Sequence, residues 1–167
     1  MPIRYFDPLE KRGPWYRSME RFGRSRLGQA YARHIAHRVD PWFYRVVGNS
    51  YTNILGGVAT APLKTTGAKS GQLRVVQVTY FHDGRDVILI ASNYGGAKNP
   101  QWSYNLKAHP ECELGDEKFV ASEIADPGEY ARVYAMAVKA YKGWGDYRAK
   151  TDPIGRHIPA FRLTPRN

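Results

Sequence analysis

The chain has 167 residues, one cysteine (Cys112) and a formal net charge of +10. This length suffices for one domain with its own core, and a single cysteine excludes a disulfide framework and a cysteine-based zinc site. No apolar run approaches the roughly 20 residues of a membrane-spanning helix, and no export signal is visible. We therefore expect a cytoplasmic protein.

Residues 1–50 form a basic, aromatic N-terminal segment, which holds ten Lys and Arg residues against four Asp and Glu residues and so carries +6. Scattered prolines predict an extended arm up to about residue 24, with at most a short helix at 16–22. Helices are predicted at 25–39 and 42–47. We expect this segment to pack on or lead into the domain. Peripheral contact with an anionic membrane is the alternative.

Residues 51–167 have the pattern of a β-rich domain. Apolar and β-branched runs predict strands at 57–63 and 75–81, and Asp83-Gly84 is a typical hairpin turn into an antiparallel partner at 87–92. Later patterns predict a hairpin of 111–114 with 118–124, a final strand at 158–163, and helices at 99–109, 126–141 and 144–151. Two hairpins without a strand–helix–strand rhythm predict an α+β fold, a closed or split antiparallel barrel with helices packed outside.

The loop at 65–74, between the first two predicted strands, has the composition of an anion site. Its two glycines permit unusual backbone angles, and the cations Lys69 and Arg74 flank the Ser70 hydroxyl. It joins two strands, whereas the phosphate loop of nucleotide hydrolases leads into a helix. From the residues alone, an anion site and a solvated hairpin with surface charges both remain open.

No catalytic set of side chains stands out in the sequence. The five histidines are dispersed, and none falls in a known nucleophile or metal motif, so no metal site is expected. The basic charge lacks a nucleic-acid recognition motif, so no nucleic-acid partner is expected. An enzymatic reaction would therefore depend on a bound organic cofactor.

Three motifs resemble, in order and spacing, those of the deazaflavin-dependent nitroreductase family of actinobacteria. They are residues 65–71 with Arg74, the segment 91–96 and the helix 99–107, and the resemblance extends from about Asn53 to Pro165. It implies a split β-barrel related to the FMN-binding pyridoxamine-phosphate oxidases. It also implies coenzyme F420, an 8-hydroxy-5-deazaflavin with a phospholactyl-polyglutamate tail.

The resemblance implies a set of coenzyme-binding residues. Lys69 and Arg74, with Ser70 and Gly71, correspond to the family's site for the phosphate and acidic tail. The other residues implied in coenzyme binding are Gln77, Ala91, Ser92, Asn93, Gly95, Gly96, Gln101, Trp102 and Asn105. Ala68 and Asn93 depart from the Arg and Lys found in members of the family, which implies fewer tail contacts and lower affinity. Gln77 stands at a position often held by Pro.

The implied reaction is hydride transfer from the reduced coenzyme to a flat, electron-poor acceptor such as a quinone or nitroaromatic compound. Tyr141, Trp144 and Tyr147 correspond to the family's aromatic acceptor pocket, with Tyr147 as candidate proton donor. An aromatic lid that only packs is the alternative for these three. The other functions considered are an FMN-dependent oxidoreductase and a non-catalytic protein that binds deazaflavin or lipid. A monomer is expected.

Overall fold

The structure, a computed structural model, describes residues 3–10 and 59–166, together with the isolated residues 13, 18, 21, 25 and 27. Within 59–166, six antiparallel strands close into a barrel in the order β1-β2-β3-β6-β5-β4. The strands are β1 (Thr60–Thr66), β2 (Leu73–Asp83), β3 (Asp86–Ile90), β4 (Glu111–Leu114), β5 (Glu117–Glu123) and β6 (Ala160–Pro165). The predicted antiparallel barrel is confirmed.

Within residues 59–166, three α-helices accompany the barrel: α1 (Gln101–Ala108), α2 (Pro127–Ala140) and α3 (Gly143–Thr151). The predicted start of α2 is confirmed, because the Asp126 carboxylate accepts a hydrogen bond from the Glu129 amide at 2.7 Å and Pro127 occupies the first turn. On α1, Trp102 packs against Phe161 of β6 with ring centroids 5.8 Å apart. This helix therefore lies against the barrel.

The barrel interior follows the period of two along each strand. Leu63 of β1, Leu114 of β4 and Leu163 of β6 are fully buried, and Phe119 of β5 joins them. Neighbouring positions such as Lys64 and Glu113 point away and form an ion pair at 2.8 Å. Alternation of apolar and polar residues therefore sets which face of each strand forms the core.

Some strand boundaries differ from the sequence prediction. β1 begins at Thr60 and continues to Thr66, and β2 begins at Leu73, because Thr65 pairs with Arg74 and Thr66 with Leu73 in the ladder. The loop between these strands is therefore shortened to residues 67–72. The Asp83–Asp86 turn closes the β2–β3 hairpin as predicted.

Residues 3–10 of the N-terminal segment lie on the barrel, with 3–7 outside any helix or strand and 8–10 in a turn. The Phe6 amide donates to His82 Nδ1 at 3.1 Å, and the His82 amide donates to the Phe6 carbonyl at 2.9 Å. The Tyr80 hydroxyl donates to the Arg4 carbonyl at 2.9 Å. Of the helices predicted at 16–22 and 25–39, the structure describes only the isolated residues 18, 21, 25 and 27, and the helix predicted at 42–47 lies outside the described residues. In the part of the chain that is described, no helix is long and apolar enough to cross a membrane.

An ionic cluster on the outside of β6 joins three elements. Arg162 donates to Asp83 at 2.9 Å, to Asp86 at 2.9 Å and to Glu129 of α2 at 2.7 Å. Arg132 and Arg162 together hold the pKa of Asp83 below its ordinary value. The last strand is therefore bonded to the β2–β3 turn and to the start of α2.

Candidate functional site

The loop at 67–72 is a tight turn with its own hydrogen bonds. The Gly67 amide donates to the Gln72 carbonyl and the Gly71 amide to the Gly67 carbonyl, each at 2.8 Å. Gly71 has φ of +65°, and a Cβ on Gly67 would lie 2.6 Å from Ser70 Oγ. Both glycines are thus required by the shape of the turn.

Asn105 of α1 holds this loop through two side-chain hydrogen bonds. Its side-chain oxygen accepts from the Ala68 amide at 3.0 Å, and its side-chain nitrogen donates to Thr65 Oγ1 at 3.0 Å. Asn105 is only 6% exposed. The amide that the resemblance assigns to the coenzyme therefore bonds within the protein, where it positions the loop backbone.

The two cations of the loop face solvent and have no acidic partner within the described part of the chain. Lys69 and Arg74 are exposed, and Lys69 forms no ion pair with any residue that the structure describes. Arg74 donates only to the neutral side chain of Gln72, at 3.1 Å. By contrast, Lys64 and Arg162 are each paired with carboxylates at 2.7–2.9 Å. This arrangement leaves positive charge available for an external anion.

The loop after β3 has an unusual backbone. Asn93, Tyr94 and Gly95 have φ of +46°, +54° and +72°, three successive left-handed residues. Such angles are costly for residues other than glycine and persist only where surrounding contacts impose them. One such contact is Asn93 Nδ2, which donates to the Lys98 carbonyl at 2.8 Å.

This loop approaches α3 closely. A Cβ on Gly95 would lie 3.2 Å from Tyr147 Cα and 3.1 Å from Lys150 Cδ. The Tyr94 ring meets the Tyr147 ring edge to face, with centroids 6.1 Å apart. The segment 91–96 and the aromatic residues of α3 are therefore one packed unit.

The three predicted acceptor-pocket residues lie together at the start of α3. Tyr141 contacts Trp144, with centroids 5.8 Å apart, and Tyr147 at 6.4 Å, and Trp144 reaches Phe81 of β2 at 5.8 Å. Trp144 and Tyr147 are buried, whereas Tyr141 is half-buried. A Cβ on Gly143 would lie 2.1 Å from the Tyr141 ring, so the glycine makes room for that ring.

Tyr147 keeps its proton in this environment. Burial raises the pKa of its hydroxyl far above the ordinary value, and Tyr141 raises it further through its charge and a hydrogen bond. Tyr147 is therefore a neutral hydrogen-bond donor at physiological pH and a poor base.

Arg156 also belongs to this site and was missed by the sequence analysis. Its guanidinium donates to the carbonyls of Ala91 and Ser92 and to Asn99 Oδ1. A lone arginine in a polar turn has no distinctive sequence pattern, so no signal in the chain marks it.

Helix α1 links the two loops. Asn99 precedes it and bonds to Arg156, and Asn105 within it bonds to Ala68. Gln101, which is exposed, and Asn105 are separated by a rise of only about 6 Å along the helix. The two loops that contact α1 are therefore close to each other, at one end of the barrel.

Within the described residues, no group of three or more His, Cys, Asp or Glu could hold a metal ion.

A sequence profile of the family described as F420H(2)-dependent quinone reductase matches residues 36–165. The chain belongs to this family. It is 34% identical over 119 residues to an F420H(2)-dependent quinone reductase of Mycobacterium tuberculosis strain H37Rv. The aligned region covers 68% of this chain and 78% of that protein.

Two solved structures with related sequences share the fold. One, titled "Structure of F420-H2 Dependent Reductase (FDR-A)", matches with a TM-score of 0.53 and 33% identity and covers 62% of this chain and 92% of that one. The other, titled as a domain-swapped dimer, matches with a TM-score of 0.56 and 29% identity over 75% of this chain and 96% of that one. The resemblance, the split barrel, the F420-dependent reductase activity and coenzyme F420 are thereby confirmed. Nothing found here supports the FMN alternative.

The residues of this F420H(2)-dependent quinone reductase family member fit the coenzyme. The loop cations suit its anionic end. The Gln77 side-chain oxygen is buried and has no hydrogen-bond partner among the residues that the structure describes, so it would accept from a ligand donor. Beside it on β2, Val75 and Val76 are 59% and 39% exposed. An apolar strand surface with one unsatisfied acceptor suits a flat heterocycle with polar edges.

Proposed function

We propose that this reductase passes a hydride from reduced F420 to a quinone, with the coenzyme ring along segment 91–96 and the acceptor against the aromatic residues of α3. The observation that supports this most directly is the packing of Gly95 on the Tyr147 backbone. Because segment 91–96 and α3 are in contact, a coenzyme ring along the segment and an acceptor ring against α3 would lie next to each other. Such proximity is what hydride transfer requires.

The coenzyme-binding role is proposed for two groups of residues. Lys69, Ser70, Gly71 and Arg74 would bind the phosphate and acidic tail, since the loop offers two cations, a hydroxyl and backbone amides. Ring contacts are proposed for Gln77, Ala91, Ser92, Asn93, Gly95, Gly96 and Gln101. Trp102, which is 9% exposed, and Asn105 are proposed to support the site from behind.

When bound in its reduced form, the coenzyme supplies a hydride to the acceptor. A quinone then needs a hydrogen-bond donor for its developing oxyanion, which Tyr147 would supply because its hydroxyl stays protonated. It also needs one further proton, which would come from solvent because the raised pKa of Tyr147 makes it a poor acid. Tyr141 is hydrogen-bonded to it and half-buried, so it can pass a proton in from solvent. Trp144, buried against Phe81, would hold the two tyrosines in place.

A titration followed by an acceptor screen tests the proposal. F420 added to the purified protein should bind with saturable quenching of its fluorescence, while FMN should not compete. Reduced F420 should be oxidised steadily with menadione and more slowly with a nitroimidazole. Tight F420 binding without turnover of any acceptor would indicate a carrier, and preference for FMN would overturn the cofactor assignment of the site.

Two further properties are proposed from the charge and composition. We propose a cytoplasmic monomer whose basic N-terminal segment touches anionic membrane, where lipid quinones reside. Light scattering at several concentrations should give the monomer mass, and a dimer mass would indicate an assembly of the kind named for the domain-swapped relative. Sedimentation with anionic liposomes at low salt should retain the protein, and no binding would exclude the membrane contact.

A further inference from the structure

A single guanidinium group collects the polar atoms of the segment after β3. Arg156 Nη1 donates to the carbonyls of Ser92 at 3.0 Å and Gly96 at 2.5 Å, and Nη2 donates to the Ala91 carbonyl at 2.8 Å. Arg156 Nε donates to Asn99 Oδ1 at 2.7 Å. Four acceptors from nine consecutive residues therefore converge on one side chain.

This convergence accounts for the unusual backbone between those acceptors. Asn93, Tyr94 and Gly95 are all left-handed, a conformation that glycine and asparagine tolerate but tyrosine disfavours. The turn brings the carbonyls on either side of it to one point, where they would repel one another without a cation. A planar guanidinium with five donors satisfies several carbonyls at once, which an ammonium group cannot match.

Arg156 is itself held by the end of α3. Its amide donates to the Thr151 carbonyl at 3.1 Å, while Gly95 packs against Tyr147 and Lys150 and the Tyr94 ring meets the Tyr147 ring. The segment is thus attached to the middle of α3 directly and to its C-terminal end through Arg156. A shift of Arg156 would move the segment relative to Tyr147.

We propose that Arg156 is a positioning residue for the coenzyme: it holds segment 91–99 in the left-handed conformation that receives the deazaflavin ring and keeps that segment in register with Tyr147. This inference rests on the proposed placement of the ring along segment 91–96. Arg156 need not touch the coenzyme, since its donors already bond to the segment.

The test compares Arg156→Met and Arg156→Lys with the parent, and Arg132→Met serves as control because Arg132 also makes paired side-chain bonds, to Asp83, away from this segment. Hydrogen exchange of the peptide 91–100 is measured without coenzyme, and F420 affinity is measured by fluorescence titration. In the parent, the Gly95 and Gly96 amides are bonded to the Ser92 and Asn93 carbonyls at 3.0 and 2.9 Å, so they should exchange slowly.

In Arg156→Met we expect faster hydrogen exchange confined to residues 91–100. F420 affinity should weaken about ten-fold or more, because the apparent affinity falls with the fraction of molecules whose loop is in the binding conformation. Arg156→Lys should fall between this variant and the parent, and Arg132→Met should match the parent in both measurements. Guanidinium at about 20 mM, far below denaturing concentrations, should restore part of the binding to Arg156→Met relative to sodium chloride of equal ionic strength. If the variant were only less stable overall, guanidinium would instead weaken its F420 binding further.

The possible failures are distinguishable. Unchanged exchange of 91–100 in Arg156→Met would overturn the inference, and so would faster exchange with unchanged F420 affinity. Parent-like affinity in Arg156→Lys would show that only the positive charge matters and would also overturn it. If the parent itself fails to bind F420, the proposed function falls and the coenzyme role of Arg156 falls with it, whereas the exchange result still reports on the loop.

Discussion

Removal of the loop cations should weaken coenzyme binding by an amount that their exposure limits. An exposed ion pair contributes up to about 1 kcal/mol, and a hydrogen bond to a charged group about 1.5–3 kcal/mol. Lys69 and Arg74 are exposed, so we expect about 1–2 kcal/mol for each, or a roughly five- to thirty-fold rise in the dissociation constant per substitution to alanine. The double variant should lose more than either single variant.

The assay is an F420 fluorescence titration at low and at physiological ionic strength. Salt should weaken binding to the parent more than to the variants, because screening acts on the charges that the variants lack. Arg85→Ala is the matched control: it removes one exposed cation in the turn at the opposite end of β2. The reasoning is refuted if Lys69→Ala and Arg74→Ala bind like the parent, or if Arg85→Ala loses as much affinity as they do.

Three other perturbations test the aromatic residues and the N-terminal segment. Tyr147→Phe should lower the turnover number about ten-fold or more while F420 affinity stays within about two-fold; equal loss in both would contradict a role toward the acceptor. Gly143→Ala places a methyl group where the Tyr141 ring lies and should raise the KM for menadione, with F420 affinity as the control. The third perturbation is a change of pH. Burial lowers the pKa of His82 below 6.5, so the unfolded chain binds a proton that the folded chain excludes. The free energy of unfolding should therefore fall as the pH drops below 6.5. Urea unfolding should show this decline, and His82→Gln should reduce it.

The fold was largely predictable because local rules and burial agree along most of the domain. Asp83-Gly84 forms the turn that its type predicts, and Asp126-Pro127 begins α2 as expected. The first loop was predicted too long because Thr65 and Thr66 read as loop residues, whereas ladder pairing with β2 includes them in β1. Tertiary pairing overrides weak local preference at such boundaries.

The candidate site was predictable only where a motif marks it. Lys69 and Arg74 were singled out by the composition of their loop, and the resemblance assigns them to the coenzyme, but the inward-facing role of Asn105 depends on a helix that reaches back to the first loop. Arg156 is separated from its acceptors by about 60 residues, so nothing local indicates the contact. The left-handed angle of Tyr94 likewise has no basis in its own preference, whereas Asn93 is a residue type that tolerates such angles.

Strand β6 has a consequence for how the polypeptide is made. It lies between β3 and β5 in the barrel, although 70 positions in sequence separate Ile90 of β3 from its ladder partner Ala160 of β6. The barrel therefore cannot close until residues 160–165 have been synthesised. Until then, β3 and β5 present unpaired edges to other nascent chains. A truncation before residue 160 should expose both edges together and give aggregates in place of a smaller folded domain.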